Sequence, residues 1–251
     1  QGLPLLRVWH HHAHASALAF EHDPAKTWLC FAWDGVGLGE DGSLWGGEAL
    51  HGRIGAWQRL ARLRPFRLPG GEKAGREPWR SAAAVCWEIG LDLTSPVRDM
   101  TLLKQAWACG LNAPQTTAAG RLFDAAGHLL GLLDQASYEG QGGMYLEQLA
   151  SGDAEAIALP LHEDESGLLT ADWEALMRAM RQSEVPAAQR ALQFHRSLAR
   201  SIAEQAQRVH TRKPFDAVGL SGGVFQNRLL AELALAELAA AGFDAYLPER
   251  S

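Results

Sequence analysis

Four histidines crowd the start of this chain, in the run Val8-Trp9-His10-His11-His12-Ala13-His14. On a helix, His10 and His14 are four residues apart and project from one face, so two imidazoles can share one cation. Asp34, at the end of the next apolar run, offers a carboxylate to the same ion. The competing reading is an expression tag or a solvated polar face. Against it, Ala13 interrupts the run, which leads into the amphipathic stretch Ala15-Ser16-Ala17-Leu18-Ala19-Phe20.

Three other segments could handle a phosphate or a nucleoside. Ser221-Gly222-Gly223-Val224 falls between an apolar run and a helical pattern, where backbone N–H groups and a positive helix terminus can meet a phosphate or sugar oxygen. Any strand-to-helix turn can use Gly-Gly, so this motif alone decides nothing. Asn227, one turn further on, is either a hydrogen-bonding partner for a purine edge or a capping amide. Asp34-Gly35-Val36-Gly37-Leu38-Gly39 reads as a glycine-rich loop closing the first strand, longer than a tight hairpin needs. Gly120-Arg121-Leu122-Phe123-Asp124 opens a helix and Tyr138-Glu139-Gly140-Gln141 starts another, placing an acid beside a helix terminus in each.

The elements that must position these residues follow from periodicity and breakers. A first helix carries the histidines. Thr27–Trp33 reads as a buried strand, Glu40-Asp41-Gly42 as a turn, Ser43–Gly52 as the returning strand, and Gln58–Phe66 as a third in the meander. Pro65–Pro78 is a loop rich in Gly, Pro and charge. Residues 79–149 read as mostly helical, with breaks near Gly90–Pro96, Gly110–Pro114 and Gly131–Ala136. Ser166–Arg181 is a further helix candidate. From Ala187 to His210, Phe194, Leu198, Ile202 and Val209 recur at helical spacing. Phe215–Leu220 is a strand, Gln226–Ala241 a helix and Phe243–Leu247 a last strand.

Three antiparallel strands, a helical insertion, then strand, helix and strand are the order of a ribonuclease-H-like α/β unit. That unit occurs twice in actin-like nucleotide-binding enzymes. One complete copy is expected here, over residues 27–251 with a helical insertion at about 77–210. Residues 1–26 read as a metal-ligand helix of another, mostly absent half.

Composition narrows the function classes. At 251 residues and 47% hydrophobic content, the chain can bury a substantial core. A net charge of −6 with interspersed signs supplies no basic stripe for a nucleic-acid backbone. Cys30, Cys86 and Cys109 are odd in number and unpaired in spacing, which suits a reducing, cytoplasmic compartment and buried small hydrophobes. No apolar run approaches the ~20 residues of a membrane span. The Gln1-Gly2-Leu3-Pro4 start has no signal-peptide pattern, and a start without Met suggests a piece of something longer.

The order V-x-H-H-H-A-H, D-G-V-G-x-G-E-D-G-x-L-W-G-G-E, L-P-G-G-E-x-A-x-R-E-P-W-R, G-R-L-F-D-A, S-Y-E-G-Q and S-G-G-V-F-Q-N resembles the C-terminal transferase region of HypF, the hydrogenase-maturation carbamoyltransferases. The matches run from Val8 to Asn227, and Leu68–Arg80 is the most specific of them. The tRNA threonylcarbamoyl transferases and antibiotic O-carbamoyltransferases share the H-x-x-x-H and G-G-V-x-x-N elements without that string. The resemblance implies transfer of a carbamoyl group from carbamoyl adenylate, made from ATP by an upstream adenylating domain, to the C-terminal cysteine of HypE. It further implies that His10, His14 and Asp34 hold a divalent metal (Fe, Zn or Mg), and that Asp34, Gly35, Val36, Gly37 and Leu38 approach the phosphoryl or carbamoyl end. Asp124 would meet ribose hydroxyls, Gly140 would line the nucleoside, and Gly222, Gly223 and Asn227 would cradle adenosine. Arg121 is a candidate charge stabiliser.

The family pattern continues past Ser251 into a D-G-G segment whose Asp is a further ligand. Weak metal binding is therefore expected of this chain, along with an incomplete cleft. The rival expectations are a carbamoyltransferase acting on a hydroxyl or tRNA amine, and a catalytically silent nucleotide-binding fragment.

Overall fold

The computed structural model describes residues 7–94 and 100–249. Helix α1 (His10–His22) leads into a meander of β1 (Trp28–Leu38), β2 (Leu44–Arg53) and β3 (Ala56–Leu63), then the short β4 (Phe66–Arg67). Helices α2 (Pro78–Glu88) and α3 (Thr101–Ala108) follow, then β5 (Gln115–Thr116), α4 (Ala119–Leu129) and α5 (Gln141–Leu149). The hairpin β6 (Leu161–Glu163) and β7 (Leu169–Ala171) precedes α6 (Glu174–Ala179) and the long α7 (Ala187–His210). The chain finishes with β8 (Ala217–Ser221), α8 (Arg228–Ala240) and β9 (Ala245–Tyr246).

The sheet runs β6-β7-β3-β2-β1-β8-β9, with β5 paired to β2 and β4 to β5. β2 runs antiparallel to both β1 and β3, while β8 lies parallel to β1 and β9 parallel to β8. This is the expected ribonuclease-H-like order, β3-β2-β1-β8-β9, widened at the β3 edge.

β1 explains the layering. Leu29, Phe31 and Trp33 point to one face and join the main core, which α4, α7 and α8 also supply. Trp28, Cys30 and Ala32 point to the other face and pack with Ala15, Leu18 and Ala19 of α1. Each of these large side chains is fully buried, contributing about 1.5–3 kcal/mol apiece. The sheet is therefore held between α1 on one side and α4, α7 and α8 on the other.

Three expectations need correcting. The Asp34–Leu38 segment is no loop: β1 continues through it, with a register break between Trp33 and Gly37 that bulges the strand and turns Asp34 toward α1. Ser166–Arg181 is no single helix. Asp164 Oδ1 accepts from the Ser166 and Leu168 amides and Gly167 takes φ 82°, so a turn forms and β7 pairs with the β3 edge before α6 begins. The 77–210 stretch also adds β5, β6 and β7 to the sheet. The end of the expected Gly90–Pro96 break, the N-terminal Gln1–Pro4 and the final Ser251 lie outside the described residues. Among those described, no helix is long and apolar enough to cross a membrane.

Candidate functional site

The β1 bulge brings the three proposed ligands together. Asp34 Oδ2 lies 2.9 Å from His10 Nε2 and 3.3 Å from His14 Nε2, and the two imidazole nitrogens are 3.2 Å apart. One donor atom from each lies within 4.8 Å of the others. Two imidazole nitrogens and a carboxylate oxygen converging at these distances form a donor set that suits a shared cation. Burial alone pushes the Asp34 carboxyl up, but hydrogen bonds from His14, His10 and the Gly35 amide together hold it well below the usual carboxylate range. Gly37 is bare for a reason: a Cβ there would fall 2.7 Å from His11 Cε1 and 2.8 Å from His10 Cδ2.

Asp34 also faces a second feature. Its Oδ1 accepts the Gly35 amide at 2.7 Å and lies beside Gly223. There it lines a cavity of about 530 Å³ shared with Gly35, Arg121, Asp124, Gly140, Gly223 and Asn227, a size suited to a small-molecule ligand. The wall is built by close backbone packing, since a Cβ on Gly120 would meet Gly35 Cα at 2.9 Å. Val36 and Leu38 point to solvent and Gly37 faces the histidines, so none of these three lines the cavity. Gly222, at φ 100°, is pressed against the Trp33 carbonyl of β1 and opens onto a different groove, between α1 and α8.

Asp124 is nearly fully buried and pairs with Arg121, its Oδ2 2.9 Å from Nη1. Burial, reinforced by the nearby Glu139 carboxylate and opposed by Arg121, leaves its carboxyl pushed up to about 6. Asn227 caps α8, its Oδ1 accepting the Leu230 amide at 2.9 Å. Its Nδ2 donates to the Gly143 carbonyl and to His195 Nε2. Since His195 Nδ1 donates to the Ala191 carbonyl at 2.7 Å, its Nε2 is free to accept. Both hydrogen-bonding groups of Asn227 are thus committed within the protein.

The sequence carried no signal for His195, which sits in the apolar stripe of α7 beside Phe194 and reads as core. The Leu68–Arg80 string was visible as a motif but not as a device. Arg80 pairs with Glu77 and lies over the Trp79 ring at 4.4 Å, and the bare Gly70 seats against its guanidinium. So braced, the segment brings Gly75 against Arg121 Nη1 and lets the Arg76 carbonyl accept the Ala136 amide. Glu48, from the L-W-G-G-E string, is fully buried on β2 and accepts from the Gly46 and Gly47 amides and from Thr117 Oγ1, which anchors the entry to α4.

Comparison with known proteins decides the family. The family model described as the carbamoyltransferase, Kae1-like domain, second subdomain, matches residues 30–251. The chain belongs to the HypF family. Carbamoyltransferase HypF of Rhodobacter capsulatus is 39% identical over 241 residues, covering 92% of this chain and 32% of that protein. A carbamoyltransferase HypF homolog of Cupriavidus necator is 36% identical over 98% of this chain and 66% of its own length. A crystal structure of full-length HypF in a phosphate- and nucleotide-bound form superposes with a TM-score of 0.91 at 27% identity, over 98% of this chain and 40% of that one. The HypF of T. kodakarensis gives 0.80 at 25% identity, over 97% and 34%. This HypF-family chain spans about a third of the length of the first curated relatives it matches.

Proposed function

We propose that this HypF-family chain provides the site at which a carbamoyl group leaves carbamoyl adenylate for the C-terminal cysteine thiolate of HypE, on the way to hydrogenase cyanide ligands. The observation that carries the reading is Asp34, whose one oxygen faces the His10–His14 pair while the other faces the cavity. A cation-ready cluster and a nucleotide-sized cavity thereby share a single side chain.

In the reaction, the thiolate attacks the carbamoyl carbon. A C–S bond forms, the carbamoyl C–O bond to the adenylate breaks, and the electron pair stays on the phosphate oxygen of departing AMP. His10, His14 and Asp34 would hold a divalent metal, which when bound polarises an oxygen of the substrate. Gly35 and Gly223 let the ligand approach backbone closely, and Asp124 is placed to accept from ribose hydroxyls. Asn227 holds α5, α7 and α8 together at the cavity floor, a bracing role in place of purine recognition.

The nucleophile must come from elsewhere. None of the three cysteines lines the cavity. Cys30 and Cys86 are buried, with burial pushing both thiols up, and Cys109 is exposed just past α3. Three free thiols suit a reducing cytoplasm.

Calorimetric titration with a non-hydrolysable ATP analogue, with and without a divalent metal, beside His14→Ala, tests the reading. Metal-enhanced binding that the variant loses is expected. Binding with the same affinity in the variant and without metal would overturn the coupling of the histidine pair to the cavity.

A further inference from the structure

Among the cavity residues, Arg121 and Glu139 stand in an arrangement the transfer chemistry above does not use. The Arg121 side chain is only 5% exposed and Glu139 is 73% exposed. Arg121 Nη1 is engaged by the buried Asp124 at 2.9 Å, whereas Nη2 has the Glu139 Oε1 atom at 3.5 Å, a loose contact to a side chain free in solvent. That oxygen lies directly against the bare face of Gly35. A Cβ on Gly35 would stand 2.3 Å from Glu139 Oε1 and 3.1 Å from Arg121 Nη2. A guanidinium, a carboxylate oxygen and an unobstructed glycine thus meet at one point on the cavity wall, one residue from Asp34. On the far side, Gly75 of the braced Leu68–Arg80 segment keeps clear of Nη1, with a Cβ there only 3.3 Å away.

We propose that Arg121 is the anion receptor of this cavity and that Glu139 is a built-in placeholder, its carboxylate lying where a phosphoryl oxygen of the ligand is received. Binding a phosphoryl group is then an exchange of one anion for another. Nη2 can give a phosphoryl oxygen a charge-assisted hydrogen bond shorter than its 3.5 Å contact with Glu139, and the exposed Glu139 is cheaply released to water. An uncharged ligand gains nothing from the exchange, which makes the pair a filter for phosphorylated over plain nucleosides. The inference rests on the nucleotide reading of the cavity and deepens it. As the carbamoyl C–O bond breaks and the phosphate gains its second charge, Arg121 is the cation beside it.

The test uses two probes on this chain. Inorganic phosphate, followed by the amide NMR shifts of Gly35, Gly75 and Gly140, reads the receptor without any nucleoside. AMP and adenosine, compared by calorimetry, read the filter. Glu139→Gln, a solvent-exposed change that leaves the fold alone, is expected to tighten phosphate and AMP by about two- to fivefold, the scale of one weak exposed ion pair, with adenosine unchanged. Arg121→Lys, which keeps a cation beside Asp124 but loses the Nη2 arm, is expected to weaken both phosphorylated probes and leave adenosine alone. Phosphate bound no tighter by the Glu139 variant, or equally well by the Arg121 variant, overturns the proposal. Adenosine failing to bind any form while phosphate responds as expected supports the receptor and overturns the nucleotide reading alone.

Discussion

At the scale of the residue, the site is governed by where side chains are missing as much as by those present. Gly37 shows it most simply, because its backbone has no positive φ and the atoms nearest a Cβ there belong to His10 and His11, packed over it. Gly37→Val pushes His10 and His11 outward and parts the His10–Asp34 contact. Divalent-metal affinity is expected to fall by about tenfold or more, the usual effect of disturbing a group that orients a ligand. Titration with Zn²⁺ or Fe²⁺ checks this, and unchanged affinity would show that the histidine pair does not depend on β1 for its placement. The i, i+4 pairing of His10 and His14 was legible because helical spacing alone puts them on one face. The bulge that turns Asp34 toward them was not, since a run of alternating glycines fits a loop and a bulged strand equally.

At the scale of the element, α8 is tied to its neighbours through one amide. Asn227 caps the helix, and its Nδ2 satisfies the Gly143 carbonyl and His195 Nε2 inside the protein. Asn227→Ala is expected to cost about 2 kcal/mol, roughly 1 for the cap and the remainder for buried groups left unpaired. Urea unfolding measures it, and a loss within about 0.5 kcal/mol, the range of an unremarkable surface change, would refute the bracing role. Asn227→Asp separates the two contributions, since it keeps the capping oxygen but turns a carboxylate toward the Gly143 carbonyl. The capping reading of Asn227 was open in the sequence. Its partner His195 was hidden because a buried histidine on an apolar stripe has no local mark, and only the packing of α7 against α5 and α8 reveals what it faces.

At the scale of the whole molecule, one buried charge makes stability depend on pH. Burial pushes the Glu48 carboxyl up to about 7, against the pull of Thr117, the Gly46 and Gly47 amides and Arg59. In the unfolded chain Glu48 loses its proton near the ordinary value of about 4.5. Between those pH values the native state holds a proton that the unfolded state has released, so stability falls as pH rises through the window. Glu48→Gln removes this slope while preserving shape and hydrogen bonding. The stability of the variant minus that of the native sequence is expected to rise between about pH 4.5 and 7 by an amount on the order of 3 kcal/mol. Denaturant unfolding at a series of pH values tests it, and parallel curves for the two proteins would exclude Glu48 as the source.

The sequence by itself determined the order of strands and helices in the β1-β2-β3, β8-α8-β9 frame, because hydrophobic period and Gly or Pro breakers act over a few residues. It likewise determined the histidine pair and, through its string of motifs, the family. Tertiary structure alone decided that residues 169–171 form a strand, since pairing with the β3 edge outweighs a local helical pattern. It alone decided that Asp34 faces both the His10–His14 pair and the cavity, and that Val36, Gly37 and Leu38 stay out of the cavity. The placement of Glu139 against Gly35 and Arg121 belongs to the same class, for it joins β1, α4 and the turn before α5 across about a hundred residues of chain. Local propensity carries no information about which distant backbones will touch. That is settled only when burial of the two sides of the sheet forces them together.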